Sequence, residues 1–326
     1  MSARTEMRAG HLEIEDTGAQ VRKPRALRAG SVLLPIAPAS PADFAKVLAG
    51  SEELRRLGFQ VADATPLAPE GYFAGSTSGR RDEFLRGLDR SDVDALVAVR
   101  GGYGSNYLLE DLQTTGAPKV ILGYSDMTSL QMFLWTKHRW AGFYAPMLAA
   151  GLAAGDGATN GYDKTSLLAA VRTTTGRWTI NLSGETLVAG EAEGRILGGC
   201  MTLVETTLGT SWELDTQGAI FLLEDRGMKP WQVDRGLMHL KQAGKFASVR
   251  GIVLGDFPEC DAPMSGSPSV REACARILGE IGVPVVYGAP VGHTQRAMLT
   301  VPLGVRARLD ARGEGRLEIL EPAVVE

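Results

Sequence analysis

A serine, a histidine and a glutamate that lie far apart in the 326-residue chain are the residues most able to do chemistry together. Ser125 lies in a Gly-Tyr-Ser-Asp turn at 123–126, between a short apolar run and a segment with helical spacing. A strand, a sharp turn that carries a serine, and a helix form the layout of a nucleophile elbow, which exposes the hydroxyl above the edge of a sheet. The G-x-S-x-G pattern is only partly met because Met127 replaces its last glycine. A serine or aspartate that caps the helix is the alternative interpretation.

A serine nucleophile needs a base, usually histidine, and a third group that fixes the imidazole. Of the four histidines, only His293 lies in a loop that follows a predicted strand. Glu224 ends the apolar run Ile-Phe-Leu-Leu, so a carboxylate is expected at the end of a strand. The alternative for His293 is an ordinary surface histidine. The alternative for Glu224 is an acid that caps a helix or pairs with Arg226 or Arg235.

A glycine-rich loop, Arg-Gly-Gly-Tyr-Gly-Ser at 100–105, begins where a second predicted parallel strand ends. The carboxyl ends of parallel strands share one edge of an open α/β sheet, and sites form at that edge. An N–H of the Gly101-Gly102 turn is therefore expected to face the N–H of Asp126, as a tetrahedral oxyanion requires. A phosphate-cradling loop is the alternative, but the P-loop Lys-Ser/Thr and the dinucleotide-binding spacing are both missing from this stretch.

Strands and helices that alternate through short glycine turns predict an α/β fold in the N-terminal half, with a doubly wound parallel sheet. The C-terminal half reads as a smaller, β-rich α+β domain that supplies the glutamate and the histidine. We therefore expect four segments: a loosely ordered extension at 1–27, an N-terminal domain at 28–149, a linker at 150–175 and a C-terminal domain at 176–326.

Composition narrows the classes of function. The apolar fraction of 44% and the charged fraction of 22% are typical of a soluble globular protein. The net charge of −4 gives no indication of a nucleic-acid or anionic-membrane partner. The N-terminus lacks the apolar region of a secretory signal, and no run approaches the roughly 18 apolar residues of a membrane span, so a cytoplasmic protein is expected.

The three cysteines do not indicate a metal or disulfide site. Cys200, Cys260 and Cys274 form neither a C-x-x-C pair nor a cluster with histidine, which argues against a disulfide framework and a structural zinc site. Cys200 is expected to be a small buried residue rather than a reactive thiol. No metal ion or organic cofactor is expected.

Taken together, the motifs resemble the LD-carboxypeptidases, a family of serine peptidases that includes the microcin C immunity proteins. The matching stretches follow the family's order and spacing over residues 29–321: VRGGYGS at 99–105, LGYSDMTS at 122–129, GRILGG at 194–199, LGT at 208–210, FLLED at 221–225, VDR at 233–235, GH at 292–293 and PLG at 302–304.

The resemblance implies a Ser-His-Glu triad, with Ser125 as nucleophile, His293 as general base and acid, and Glu224 as the group that orients His293. It also implies that the backbone N–H groups of Gly102 and Asp126 bind the oxyanion. The implied activity is release of the terminal D-alanine from murein tetrapeptide in cell-wall recycling, on a small muropeptide substrate. The site is expected at the junction of the two domains, and family members often form homodimers.

Two departures from the family pattern concern specificity. Cys200 stands where the family commonly has asparagine, and Thr-Ser-Trp at 210–212 replaces a Thr-Pro-aromatic run. Hydrolysis of a peptidyl- or aminoacyl-nucleotide antibiotic, and a non-catalytic muropeptide-binding sensor, are the alternative functions. Candidates for substrate contacts are Arg100, Tyr103 and Trp212. For the terminal carboxylate the candidates are Arg100 or Arg226, named without a spacing argument.

Overall fold

The structure is a computed structural model that describes residues 20–64, 67–114 and 116–326. Its N-terminal half alternates short strands with helices, as the sequence predicts. In chain order these elements are β1 (Val32–Ile36), α1 (Phe44–Arg56), β2 (Gln60–Val61), α2 (Thr77–Asp89), β3 (Ala95–Ala98), β4 (Val120–Gly123), α3 (Met127–His138), β5 (Gly142–Tyr144) and α4 (Lys164–Arg172).

The C-terminal half is richer in strands. Its elements are β6 (Trp178–Asn181), β7 (Glu185–Val188), β8 (Gly190–Cys200), α5 (Met201–Glu205), β9 (Ala219–Glu224), α6 (Pro230–Gln242), β10 (Gly251–Gly255), α7 (Val270–Leu278), β11 (Val285–Ala289), β12 (Val301–Leu303), β13 (Arg306–Ala311) and β14 (Arg316–Ile319). Among the described residues, no helix has the length and apolar character needed to cross a bilayer.

The first sheet has six strands in the order β12-β5-β4-β3-β1-β2. Strands β1 to β5 run parallel, and β3 and β4 are buried along their whole length because helices cover both faces of the sheet. Strand β12 pairs antiparallel with β5, with Val301 opposite Tyr144. A strand from the C-terminal half therefore completes the N-terminal sheet.

The second sheet has eight strands in the order β6-β14-β13-β8-β9-β10-β11-β7. Strands β8 to β11 run parallel, and the outer strands are antiparallel. The prediction of a parallel sheet followed by a β-rich α+β half is confirmed, with one correction. The C-terminal half, predicted to be the smaller, carries the larger sheet.

The two sheets share one apolar core. The largest cluster of buried side chains includes Val97 and Leu122 from the first sheet and Ile220 and Leu222 from the second. The carboxyl end of β4 is thereby brought close to the carboxyl end of β9, which is where the sequence places Ser125 and Glu224.

The N-terminal extension, predicted to be loosely ordered, is held to the protein over residues 20–27. The N–H of Ala26 donates to the carbonyl of Val325 at 2.7 Å, and Leu27 is buried. These contacts correct the prediction for that stretch, whereas residues 1–19 lie outside the described residues.

The predicted linker at 150–175 is well packed. It contains α4 and the buried Tyr162, whose hydroxyl donates to Glu53 at 2.8 Å. The segment is therefore part of the shared core, and the boundaries of the two domains stay predictions.

Candidate active site

Ser125 lies at the turn between β4 and α3 with a φ of 62°. Residues other than glycine rarely adopt this conformation, and it is typical of strained functional turns. A Cβ at Gly123 would lie 2.7 Å from Cγ of Met127, so the tight turn requires glycine there. The Asp126 side chain makes no capping hydrogen bond to α3, so the alternative of an aspartate that caps this helix is wrong.

Glu224 and His293 form a buried pair on the second sheet. Glu224 is the last residue of β9 and is 0% exposed, and His293 lies in the loop after β11. The imidazole Nδ1 lies 2.9 Å from Oε2 of Glu224, and the His293 backbone N–H donates to the same oxygen at 2.9 Å. When Nδ1–H donates to the carboxylate, Nε2 carries no proton and can act as a base. A Cβ at Gly292 would lie 2.3 Å from the Glu224 carboxyl carbon, so this approach depends on glycine before the histidine.

Tyr144 links the pair to the elbow, and the sequence reasoning missed it. Its buried hydroxyl donates to Oε1 of Glu224 at 2.5 Å and accepts the N–H of Ser125 at 3.4 Å. The ring of Tyr124, next to the serine, meets the His293 ring edge-on with centroids 5.1 Å apart. The structure thus brings together all three residues of the predicted triad. In the sequence, the feature that could have identified Tyr144 as a site residue is its position, as an aromatic residue with a hydroxyl, at the end of a short apolar strand.

Charge and burial around Glu224 shift the pKa values of His293 and Tyr144. Burial lowers the pKa of His293, but the charge and hydrogen bond of Glu224 outweigh burial and leave the pKa above its usual value. Burial, followed by the Glu224 charge, raises the pKa of Tyr144 well above its usual value. The tyrosine hydroxyl therefore stays protonated and donates to the carboxylate.

The glycine-rich loop is fastened to the elbow through Asp126. The Asp126 carboxylate accepts the N–H of Ser105 at 2.7 Å and that of Gly104 at 3.3 Å. The Ser105 hydroxyl donates to the Asp126 carbonyl at 2.6 Å. These hydrogen bonds hold Asp126 and the glycine-rich loop together. The N–H of Asp126 lies on the side of the elbow that faces the loop.

Two backbone amides near the serine are available for a ligand. A Cβ at Gly101 would lie 2.9 Å from the Ser125 hydroxyl oxygen, and a Cβ at Gly102 would lie 2.4 Å from that of Ser40. Glycine therefore lets the loop approach the serine. In the described parts of the chain, the N–H groups of Gly102 and Asp126 donate to no other group. An oxyanion hole needs such unpaired donors.

Arg80 of α2 holds the far end of the glycine-rich loop, and the sequence reasoning did not find it. The side chain is 0% exposed and donates to the carbonyls of Gly104 at 2.7 Å, Gly75 at 3.0 Å and Pro38 at 2.5 Å. Its guanidinium carbon lies 4.7 Å from the centroid of the Phe73 ring. The buried guanidinium of Arg80 thereby connects three loops to helix α2.

A cavity of about 550 Å³ opens beside His293. Arg226, Glu259 and His293 on its wall come from loops that follow β9, β10 and β11, at the carboxyl edge where α/β sheets bind ligands, and Lys46 comes from α1. Arg226 and Glu259 form an ion pair at 2.5 Å on this wall. The polar and aromatic side chains that line the cavity include Lys46, Tyr124, Asn160, Arg226, Glu259 and His293.

The other predicted substrate contacts lie outside the lining of this cavity. Arg100 donates to the carbonyl of Pro41 at 3.3 Å, and the Trp212 ring meets the Phe133 ring edge-on at 5.9 Å. Tyr103 is 41% exposed and belongs to a surface group of rings with Tyr72, Phe73 and Tyr107. Their contacts with substrate stay predictions.

Cys200 is buried, as expected. Burial raises its pKa well above the usual value for a thiol. The side chain is therefore a neutral packing residue opposite Glu224 in the sheet.

Models of two protein-family domains match the chain. The model of the LD-carboxypeptidase N-terminal domain matches residues 35–145, and that of the LD-carboxypeptidase C-terminal domain matches residues 193–309. The protein is therefore a serine peptidase of the carboxypeptidase type. It belongs to the LD-carboxypeptidase family.

Individual relatives agree with this membership. The chain is 32% identical over 294 residues to a probable murein peptide carboxypeptidase of Bacillus subtilis, covering 88% of this chain and 91% of the relative. A solved muramoyltetrapeptide carboxypeptidase from Oxalobacter formigenes superposes with a TM-score of 0.79 at 25% identity, covering 90% of this chain and 99% of that one. The microcin C7 self-immunity protein MccF shares the fold, with a TM-score of 0.83 at 24% identity, covering 93% and 99% of the two chains.

Proposed function

We propose that the protein hydrolyses the L,D-peptide bond of murein tetrapeptide and releases the terminal D-alanine in cell-wall recycling. The observation that carries the proposal is the chain of contacts from His293 through Glu224 and Tyr144 to the amide of Ser125. The names of the Bacillus and Oxalobacter relatives support the choice of substrate.

The first step is acylation of Ser125. Nε2 of His293 takes the hydroxyl proton while the serine oxygen attacks the carbonyl of the diamino-acid residue. Glu224 holds Nδ1–H and stabilises the imidazolium that forms, because its carboxylate lies 2.9 Å from Nδ1 and is shielded from water.

The oxyanion then rests on the backbone N–H groups of Gly102 and Asp126. His293 returns its proton to the D-alanine nitrogen, and D-alanine leaves. A water molecule, deprotonated by the same imidazole, attacks the acyl-enzyme and frees Ser125.

Mass spectrometry of reaction products tests the proposal. Wild-type protein incubated with murein tetrapeptide should yield the tripeptide and free D-alanine, whereas Ser125→Ala should yield neither. Cleavage of an aminoacyl sulfamoyl-adenosine with no cleavage of the tetrapeptide would instead assign the antibiotic-hydrolysing function. Binding of tetrapeptide without turnover by either protein would assign a sensor.

A cytoplasmic location and a homodimer are further parts of the proposal. The three cysteines are free and buried, as is usual in a reducing compartment. The homodimer rests on the resemblance to the family. Light scattering during gel filtration should give twice the 34.7 kDa mass of one chain, and a single-chain mass would reject it.

A further inference from the structure

A second cavity, of about 220 Å³, lies on the opposite face of α1 from the cavity at the proposed active site. Phe44 and Val47, which share one face of α1, line the second cavity, whereas Ala45 and Lys46 line the first. Of the described residues that line the second cavity, only Glu83 of α2 has a polar side chain. We call this space the Glu83 cavity. No step of the proposed reaction uses it.

The Glu83 cavity lies where the order of strands in the first sheet reverses. The chain runs from β1 to β2 on one side of β1 and then returns to β3 on the other side. Ala37 directly follows β1, Val99 directly follows β3, and both line the cavity. Open α/β sheets bind ligands in the crevice at this reversal, outside the carboxyl ends of the strands. The cavity therefore occupies a position that is typical of a ligand site.

The Glu83 carboxylate has one oxygen that remains available. The side chain is only 5% exposed, and Oε2 accepts the N–H of Ala37 at 2.7 Å. Among the described residues, Oε1 accepts no hydrogen bond and no lysine or arginine forms an ion pair with this carboxylate. The charge of Arg86, one turn later in α2, only partly offsets burial, which raises the pKa to about 7. A buried acid without a cationic partner costs stability, and such groups in a cleft often mark functional sites.

The size of the cavity and its lining define a class of ligand. An apolar cavity of about 150 Å³ is enough to hold benzene, so the Glu83 cavity has room for a compact apolar group with a short polar end. An ammonium supplies both the missing positive charge and a donor for Oε1. A guanidinium fits less well, because it binds two carboxylate oxygens side by side and Oε2 already accepts the N–H of Ala37. Phe44 on the wall is 80% exposed, so the cavity reaches the protein surface.

We propose that the Glu83 cavity binds a small organic ammonium with an apolar body, its ammonium on Oε1 of Glu83 and its body against Ile36, Val47 and Val99. This site is separate from the proposed active site, and the inference does not depend on the proposed function.

Titration calorimetry with benzylamine and benzyl alcohol tests the inference. The two probes have nearly the same shape, and only the amine carries a charge. At pH 8, above the Glu83 pKa of about 7, the wild type should bind benzylamine at least about 10-fold more tightly than benzyl alcohol, since charge-assisted hydrogen bonds are the strong ones. Glu83→Gln should bind the two probes with the same affinity.

Glu53→Gln is the matched control. Glu53 is also a buried glutamate, but it lies outside the lining of the Glu83 cavity and accepts the hydroxyl of Tyr162 at 2.8 Å. This variant should keep the wild-type preference for benzylamine. Ala42→Leu adds apolar volume to the wall without changing the carboxylate, so it should weaken the binding of both probes. Urea unfolding of each variant checks that the protein is folded.

Four results would overturn the inference. The first is equal affinity of the wild type for the two probes, and the second is no binding of either. The third is a preference for benzylamine that persists in Glu83→Gln, because the amine would then bind at another acid. The fourth is unchanged binding of both probes by Ala42→Leu. None of these results bears on the hydrolysis of tetrapeptide, so the proposed function is tested separately.

Discussion

At the scale of single residues, the proposed role of His293 as general base makes catalysis depend on pH. Its pKa is raised above the usual value of about 6.5, and only the neutral ring accepts the serine proton. The pH–rate profile of kcat/KM on the tetrapeptide should therefore fall as pH drops through a value above 6.5. Glu224→Gln removes the charge that raises the pKa, so this acid limb should move to lower pH, and kcat should fall by about 10⁴-fold as the ring loses its orientation. An acid limb that stays in place would contradict the role of Glu224.

Tyr144 gives a second prediction at this scale. Tyr144→Phe removes the hydroxyl that joins Glu224 to the amide of Ser125, so kcat should fall by up to about 100-fold through loss of alignment. Tyr162→Phe is the control, because its buried hydroxyl donates to Glu53 instead. Both variants should lose about 1 to 2 kcal/mol of stability in urea unfolding. Equal kcat in the two variants would show that Tyr144 only supports the core.

The three residues of the proposed triad could be named from the sequence because each lies next to a short motif at a strand end. Tyr144 and Arg80 could not be identified as site residues from the sequence. The carboxylate that Tyr144 contacts lies 80 residues away, and two of the three carbonyl groups that Arg80 contacts lie 24 and 42 residues away. Only the folded chain brings these groups together. A tyrosine at a strand end or an arginine in a helix carries no local sign of such a contact.

At the scale of elements, α2 supports the glycine-rich loop at 100–105 through Arg80. Arg80→Met leaves three buried carbonyl groups without their donor and should lower the free energy of unfolding by about 3 kcal/mol. The freed loop should also misplace the N–H of Gly102, so kcat should fall while KM changes little. Urea unfolding and steady-state kinetics measure the two effects. Loss of stability with unchanged kcat would show that Asp126 alone holds the loop.

The strand and helix elements were largely predictable because parallel strands are buried apolar runs and the helices between them have regular spacing. Strand β12 was not. Its Val-Pro-Leu segment is only three residues long and contains a proline, which carries no strand signal. Its pairing partner, β5, lies nearly half the chain away, so the shared sheet becomes visible only in the fold.

At the scale of the whole molecule, the buried Glu83 makes stability depend on pH. Burial raises its pKa from 4.5 to about 7, although the N–H of Ala37 donates to it. The folded state therefore binds more protons than the unfolded state between these values, and this contribution to stability is present below pH 4.5 and lost as pH rises through 7. Glu83→Gln should stabilise the protein at pH 8 by on the order of 1 to 3 kcal/mol and have little effect at pH 4.5. Thermal or urea unfolding of both proteins at the two pH values measures this, and an equal effect at both would contradict it.

The junction of the two sheets makes the site a property of the complete fold. Ser125 follows a strand of the first sheet, Glu224 is the last residue of a strand of the second, and His293 lies in a loop after another strand of the second. The shared core and strand β12 fix the sheets to each other, so the catalytic distances depend on both halves.

The most direct test of the account is to locate the nucleophile in the protein. The protein is treated with a fluorophosphonate, digested and mapped by mass spectrometry, beside Ser125→Ala and His293→Ala. We expect one adduct in the wild type, on the peptide that contains Ser125, with no labelling of Ser125→Ala and strongly slowed labelling of His293→Ala. An adduct on another residue, or equal labelling of all three proteins, would contradict the proposal that Ser125 of the first sheet is a nucleophile activated by His293 of the second.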